Sequence, residues 1–374
     1  MSHDGRDAAD AVARIRPVAS ADIPEVAALF RRVFRRASGA RADALEAYLE
    51  RLFVAPQDRT PGIASLVHTR EDGAVNGFIG VLAVPFIVDG VRRRASFCGS
   101  LMVDDPARTP LAGARLMRAY LGGAQDLSLS ETANAVSEGM WRRLRGTVLP
   151  GYSLEWMRLF RPVAFAAAVS AARVPAMGTM RVLAPPLDAI ARRALPSLAR
   201  VAPTVCGEEE IDDDATFVAL LERFTADAAA RPAWSEMDLS TMIADARLKS
   251  AYGTMTRRVV TRGTTPIGLY VHHSKPGGIG HVLQIAAAPG RMQDVIDRLF
   301  ASAAEEGLAG LRGRTQPALI DAMLTRGCYY SHRASTLAHA RDPALLEPFI
   351  AGRAVLNGFA GESWTRLIGD DLSR

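Results

Sequence analysis

The chain has 374 residues, 49% hydrophobic and 23% charged, which excludes a disordered chain and suffices for two to three domains with buried cores. Its 45 basic and 40 acidic residues leave a net charge of +5, short of a nucleic-acid footprint, so no nucleic-acid partner is expected. Cys98, Cys206 and Cys328 form no Cys-x-x-Cys pair, which argues against a disulfide framework or a metal site.

The N-terminal stretch has no apolar signal-peptide core, and the longest apolar run, 163–172, is too short for a bilayer. A cytoplasmic location is expected. In chain order, 13–19 reads as a strand. A helix follows with Asp22 as its cap, Pro24 in its first turn and Glu25 closing a capping box. Ile23, Val26, Leu29, Phe30, Val33 and Phe34 give it one apolar face. A second helix carries Leu45, Tyr48, Leu49, Leu52 and Phe53. Three strands come next, "GIASLVHTR", "AVNGFIGVLAVPFIV" and "VRRRASFCGSLMV", the last two joined by an Asp89-Gly90 hairpin. The turn "DDPARTP" leads into helix 113–123, then strand "DLSLSE". Helix 133–145 has Val136, Met140 and Leu144 on one face, and strand "GYSLEWMRLF" completes the unit.

The second half repeats the plan. Helices fall at 212–229 and 236–247, and the strands "TMTRRVVTR", "PIGLYVHHS" and "GHVLQIAAA" follow. "PGGIGH" between two of these strands reads as a hairpin turn rather than a nucleotide loop. Helix 290–306, strand "AGLRGR", helix 317–326 and strand "CYYSHRASTLAHA" come next, and "NGFAGESWTRLIGDD" reads as a terminal strand. "MVDDPARTPLAGARLMRAYL" aligns with "IAAAPGRMQDVIDRLFASAA" as one strand-turn-helix unit, which implies internal duplication. The expected fold is α+β (mixed α/β), with two tandem domains, each a mostly antiparallel central sheet flanked by helices.

The order of elements, with an arginine-bearing turn after the fourth strand, resembles the GCN5-related N-acetyltransferases over residues 12–160. The resemblance implies a tandem pair: domain 12–160 with an acyl-CoA loop, linker 161–204, and domain 205–374 without a loop of its own. It implies acyl-CoA as cosubstrate, no metal, and an amine acceptor that attacks the thioester. The family's pyrophosphate motif, Arg/Gln-x-x-Gly-x-Gly/Ala, aims backbone N–H groups and a helix N-terminus at phosphate. Arg108 matches its first position and Gly113 its last. Leu111 stands where a glycine belongs, and Pro110 removes an N–H. The cofactor-binding set is therefore Leu101, Met102, Val103, Arg108, Thr109, Leu111, Ala112, Gly113, Ala114, Asn134 and Trp141. The backbone of Leu101 to Val103 is assigned to the thioester carbonyl, and Asn134 to the pantetheine arm. Trp141 stands where the family usually places a tyrosine that protonates the thiolate. Indole cannot surrender a proton, so Trp141 is a positioning or core residue. Candidate bases are Glu131 and Asp104, with His281 and Glu362 in the second half.

Linker 161–203 is rich in arginine and alanine, with Asp188 as its single acid. That composition fits either a pair of bridging helices or a peripheral contact with an anionic membrane. The second reading makes the acceptor lipidic, as in bacterial ceramide synthases that acylate a sphingoid base. Alternatives are acetylation of an amino sugar or polysaccharide precursor, a peptidoglycan-bridge-type aminoacyl transfer, and a non-catalytic acyl-CoA-binding protein.

Overall fold

Two seven-stranded sheets with the same arrangement organise the protein, seen here as a computed structural model describing residues 15–34, 41–57, 60–171, 187–190, 193, 201–370 and 372. One unit holds the described residues up to 150 together with 334–351 and 372. The other holds 151–333 and 352–370.

In the first unit, β1 (Ile15–Pro17) leads into α1 (Ile23–Phe34) and α2 (Ala42–Leu49). β2 (Leu66–Thr69), β3 (Val75–Ala83), β4 (Phe86–Val88), β5 (Val91–Arg93) and β6 (Ala95–Val103) follow. Then come α3 (Ala112–Leu121), β7 (Leu127–Ala133), α4 (Ala135–Arg143) and β8 (Thr147–Val148). A strand from far along the chain, β17 (Ser335–Ala340), pairs with β7 and β8, so the sheet order is β1-β2-β3-β6-β7-β17-β8. β3 is buried from Val75 to Leu82, as an apolar strand covered on both faces must be.

The second sheet has the order β10-β12-β13-β14-β15-β9-β16. Its strands are β9 (Leu154–Leu159), β10 (Gly207–Glu210), β12 (Thr254–Arg262), β13 (Thr265–Ser274), β14 (Ile279–Ala287), β15 (Gly310–Arg314) and β16 (Tyr329–His332). The unit also contains α5 (Pro162–Ala171), α6 (Asp214–Thr225), β11 (Ala230–Pro232), α7 (Glu236–Arg247), α8 (Met292–Glu305) and α9 (Pro317–Leu324). Trp156, Tyr270, Val295, Leu299, Phe300 and Leu311 centre its core. In both sheets one pair is parallel, β6 with β7 and β14 with β15.

Several expectations change here. "GYSLEWMRLF" does not complete the first unit: Leu154–Leu159 pairs with β15 and β16 of the second sheet. "CYYSHRASTLAHA" is two strands, β16 in the second sheet and β17 in the first. Each sheet therefore takes its sixth strand from the other half of the sequence. The stretch "NGFAGESWTRLIGDD" is turns and a short helical turn, Gly358–Ala360, not a strand. The run "AVNGFIGVLAVPFIV" breaks at Pro85, which has no N–H for a ladder. Beyond it, β4 and β5 form a separate hairpin across Asp89 and Gly90, both at positive φ.

Asp22 does not cap α1 as its first residue. It closes a short 3-10 turn, accepts from the Ala19 N–H at 2.9 Å and takes a two-pronged bond from Arg16. Glu25 accepts from the Val75 N–H at 2.7 Å instead of closing a capping box. Val33 and Phe34, in the last turn of α1, and Val136, in the first turn of α4, are exposed.

In the linker, 172–186, 191–192 and 194–200 lie outside the described residues, and with them Arg173, Arg181, Arg192 and Arg200. The described part is a packed helix. Ala164 and Phe165 of α5 are buried with Ala309. Asp188 is buried at the N-terminus of α5, accepting from the Val163 N–H at 2.7 Å, where a carboxylate complements the helix dipole. No described helix is long and apolar enough to cross a membrane.

Candidate functional site

β6 and β7 pair only over Ala95–Phe97 and Leu127–Leu129, and then part. A bulge lies on the same stretch of β6. Phe78 faces Met102 and Gly80 faces Gly99, so Ile79 opposes both Ser100 and Leu101. Ser100 takes φ 54, a strained setting for a side-chain-bearing residue that local structure must hold in place. Gly99, Ser100, Leu101 and Val103 are partly exposed along the parted edge, where N–H groups beyond Phe97 lack a β7 ladder partner.

The arginine-bearing turn begins where β6 ends. The Asp104 N–H donates to Asn76 O at 2.8 Å, and its carboxylate meets Arg70 Nη2 at 2.8 Å and Arg32 Nε at 3.5 Å. Asp104 therefore anchors the turn through both oxygens, an arrangement that competes with proton abstraction. Asp105 O accepts the N–H groups of Arg108 and Thr109, and Thr109 Oγ1 also bonds back to Asp104 O. The Arg108 side chain is exposed.

Helix α3 starts at Ala112 with Leu111 as its cap residue, and it has neither a side-chain cap bond nor an acid in its first turn. The leading N–H groups of a helix have no acceptor within it, and its N-terminus carries partial positive charge. The Ala112 N–H turns back to Thr109 O, so Gly113 and Ala114 hold the forward-facing donors. Leu111 is 58% exposed, so the side chain at the altered glycine position is not packed into the turn. A Cβ on Gly113 would meet Val103 and Met140 only at ordinary contact distances, 3.4 and 3.6 Å. Internal packing therefore does not demand glycine there, which is consistent with close approach of a ligand.

Asn134 caps α4, accepting from the Ser137 N–H at 2.9 Å, and its side-chain NH₂ is left as a donor. Glu131 is fully buried on β7 past the last paired rung. Trp141 is also fully buried, packed against Leu116, Met117 and Tyr120, with its ring edge-on to Tyr120 at 6.2 Å. Its indole N–H has no partner among the described residues. Trp141 therefore sits in the core. His281 belongs to the second unit, on β14, and its ring stacks on Tyr252 at 3.9 Å. Burial, helped by Arg312, pushes its pKa down to about 3. Glu362 is buried in the same unit. The structure thus groups Leu101–Val103, Arg108–Ala114, Glu131 and Asn134 in one unit and assigns His281 and Glu362 to the other.

Two contributors had no signal in the sequence. Ser100 is the bulge residue, and nothing in "FCGSLMV" marks its positive φ. Tyr120 sits at the vertex of the parted strands: its hydroxyl donates to Ser96 O at 2.9 Å and lies 3.4 Å from Leu129 O. Burial holds that phenol well above its ordinary pKa, so it is a strut rather than an acid. A cavity of 350 Å³ opens in the same unit at the other end of α3, by Gln57, Gly123 and Gln125, away from the turn. Among the described residues no group of His, Cys, Asp or Glu side chains is disposed to hold a metal.

No family model and no curated protein sequence matches this chain. Solved structures do. A probable N-acyltransferase of Enterococcus faecalis V583 aligns with TM-score 0.57 at 10% identity, over 89% of this chain and 74% of its own. A GCN5-related N-acetyltransferase from Kribbella flavida gives 0.54 at 16% identity, covering 91% and 73%. One from Anabaena variabilis ATCC 29413 gives 0.56 at 10%, covering 87% and 72%. Parted parallel strands, a bulged central strand and an uncapped helix behind an arginine turn accompany that likeness, and the chain has the fold of the GCN5-related N-acetyltransferases.

Proposed function

We propose that the first unit is the site of an acyl-CoA-dependent N-acyltransferase. The observation that carries this reading is the coincidence of three features: β6 and β7 part after Phe97 and Leu129, β6 bulges at Ser100, and α3 begins uncapped behind Arg108. The residues present suit the donor. Arg108 and the N–H groups of Gly113 and Ala114 offer charge and hydrogen bonds to a pyrophosphate. The parted edge of β6 offers N–H groups to an extended amide-bearing arm, and Asn134 offers its side-chain NH₂.

When bound, acyl-CoA supplies an activated carbonyl. The backbone around Leu101 to Val103 polarises it and stabilises the oxyanion that develops as the amine attacks. The C–N bond forms and the C–S bond breaks. Glu131 takes the proton that the acceptor ammonium must lose before its nitrogen can attack, directly or through water. Trp141 gives no proton to the departing thiolate. A thiol of pKa about 8.5 can leave near neutral pH without one.

The test is calorimetry with CoA and short- and long-chain acyl-CoAs, coupled to thiol release with a panel of amines. Arg108→Ala is expected to weaken CoA binding about tenfold with the fold intact; unchanged affinity removes the turn from the site. A second reading, an acyl-CoA-binding protein without turnover, is favoured by the buried Trp141 at the proton donor's position. Binding without thiol release for any amine would select it.

A further inference from the structure

The second unit contains the same kind of opening, and the chain itself fills it. β14 and β15 pair from Ile279 with Gly310 to Val282 with Gly313 and then part. β14 bulges immediately beyond: Val271 faces Gln284 and His272 faces Val282, which leaves Leu283 as the extra residue. Residues 356–360 lie in this opening. Asn357 Nδ2 donates to Thr315 O at 2.7 Å and to Tyr152 O at 3.2 Å, which fixes the segment at the end of β15. The Phe359 N–H donates to Gln284 Oε1 at 3.2 Å, at the bulge of β14. Phe359 O accepts from the Trp234 indole at 3.2 Å, and its ring meets Phe217 edge-on at 5.7 Å. Leu356, Phe359 and Ala360 are fully buried.

The conformation is specific to this placement. Gly358 has φ +61, and a Cβ there would collide with Leu283 O and with Gln284 Oε1. Asn357 takes φ 67 without being glycine, a strain that persists only where surroundings dictate it. The bonds at the opening are those an extended amide-bearing ligand would make: N–H donors directed at the bulge and at the carbonyl of Thr315.

We infer that residues 356–360 are a tethered ligand occupying the second unit's strand opening, so that this opening takes no acyl-CoA and the chain carries one donor site. The identity of the excluded ligand and the count of donor sites rest on the function proposed above. The neighbouring turn agrees. Helix α8 begins with Asp294 in its first turn, and Arg291, which precedes it, lies 3.3 Å from that carboxylate, so the charges at this N-terminus are met from within.

Hydrogen exchange of the full chain, with CoA as the probe, tests the assignment. Expected are amides at 356–360 as slow as those of β13, unchanged by saturating CoA, while peptides spanning 101–116 gain protection and calorimetry gives one CoA per chain. Gly358→Ala should accelerate exchange at 356–360 and 283–287 at least tenfold and leave 95–133 unchanged. If that variant fails to fold, Gln284→Ala, which removes the acceptor of the Phe359 N–H together with a 3.4 Å bond from Gln284 Nε2 to Ile285 O, should show the same local acceleration at 356–360. Fast exchange at 356–360 in the native chain, a response to CoA there, or two CoA per chain would overturn the tethered ligand. Slow exchange at 356–360 in a chain that binds no CoA would support it and overturn the acyl-CoA reading of the first unit alone.

Discussion

Each sheet contains one parallel pair that stops short, and the two units treat the remainder differently. In the first, Gly99, Ser100, Leu101 and Val103 stay partly exposed beyond the last rung, and α3 starts without cap or acid. In the second, Gln284, Ile285 and Ala286 are buried beyond the last rung, Asn357 and Phe359 donate to the Thr315 carbonyl and the Gln284 side chain, and Asp294 stands in the first turn of α8. Parted strands and a helix N-terminus are therefore not enough to make a cofactor site. The difference lies in whether a neighbouring segment already occupies the opening and a carboxylate already meets the charge at the helix N-terminus.

The largest effect that bears on this contrast is pH-dependent stability of the second unit. Burial lowers the pKa of His273 to about 4 and of His281 to about 3. Both are neutral in the folded chain, whereas an unfolded histidine takes up its proton near pH 6.5. The stability they contribute is full above that value and falls as pH drops from 6.5 towards 4 and 3, by on the order of 3 kcal/mol for His273 and about 5 kcal/mol for His281. Denaturation followed at several pH values should show this slope, and His273→Gln with His281→Gln should flatten it. An unchanged slope would place the proton uptake elsewhere. Next is Glu131→Gln, expected to lower kcat about 100-fold with little change in KM for acyl-CoA. Wild-type turnover in that variant would remove Glu131 as the base. The smallest effect is Trp141→Phe. It is expected to cost about 1–2 kcal/mol, because the space left by the smaller buried ring outweighs the relief of an indole N–H that has no partner, and to leave the pH–rate profile unmoved. A lost basic limb would return Trp141 to the chemistry.

Local signals carried much of the fold. Asp89-Gly90 made its hairpin, the apolar spacing placed α1 and α2, and the turn ahead of α3 lies where the arginine motif put it. What escaped depends on contacts distant in sequence. Nothing within "GYSLEWMRLF" distinguishes pairing with β7 from pairing with β15, since its alternation states only that it is a strand. Glu25 has the spacing of a capping box, yet a backbone N–H fifty positions away is its partner. At the candidate site, residue types and order were legible at Arg108, Gly113 and Asn134. The burial of Trp141, the ion pairs of Asp104 and the bulge at Ser100 were not, because each is set by tertiary packing rather than by a residue's neighbours in the chain.

The exchange of β9 and β17 has a consequence for synthesis. Until residues 335–340 have left the ribosome, β7 has no partner on its outer side, and its unpaired N–H and C=O groups form an edge open to aberrant pairing. The half of the chain made first thus cannot close its sheet until residues 335–340 have been made. A cut near residue 160 would divide the sequence into two repeats but leave each without a strand that the other encodes.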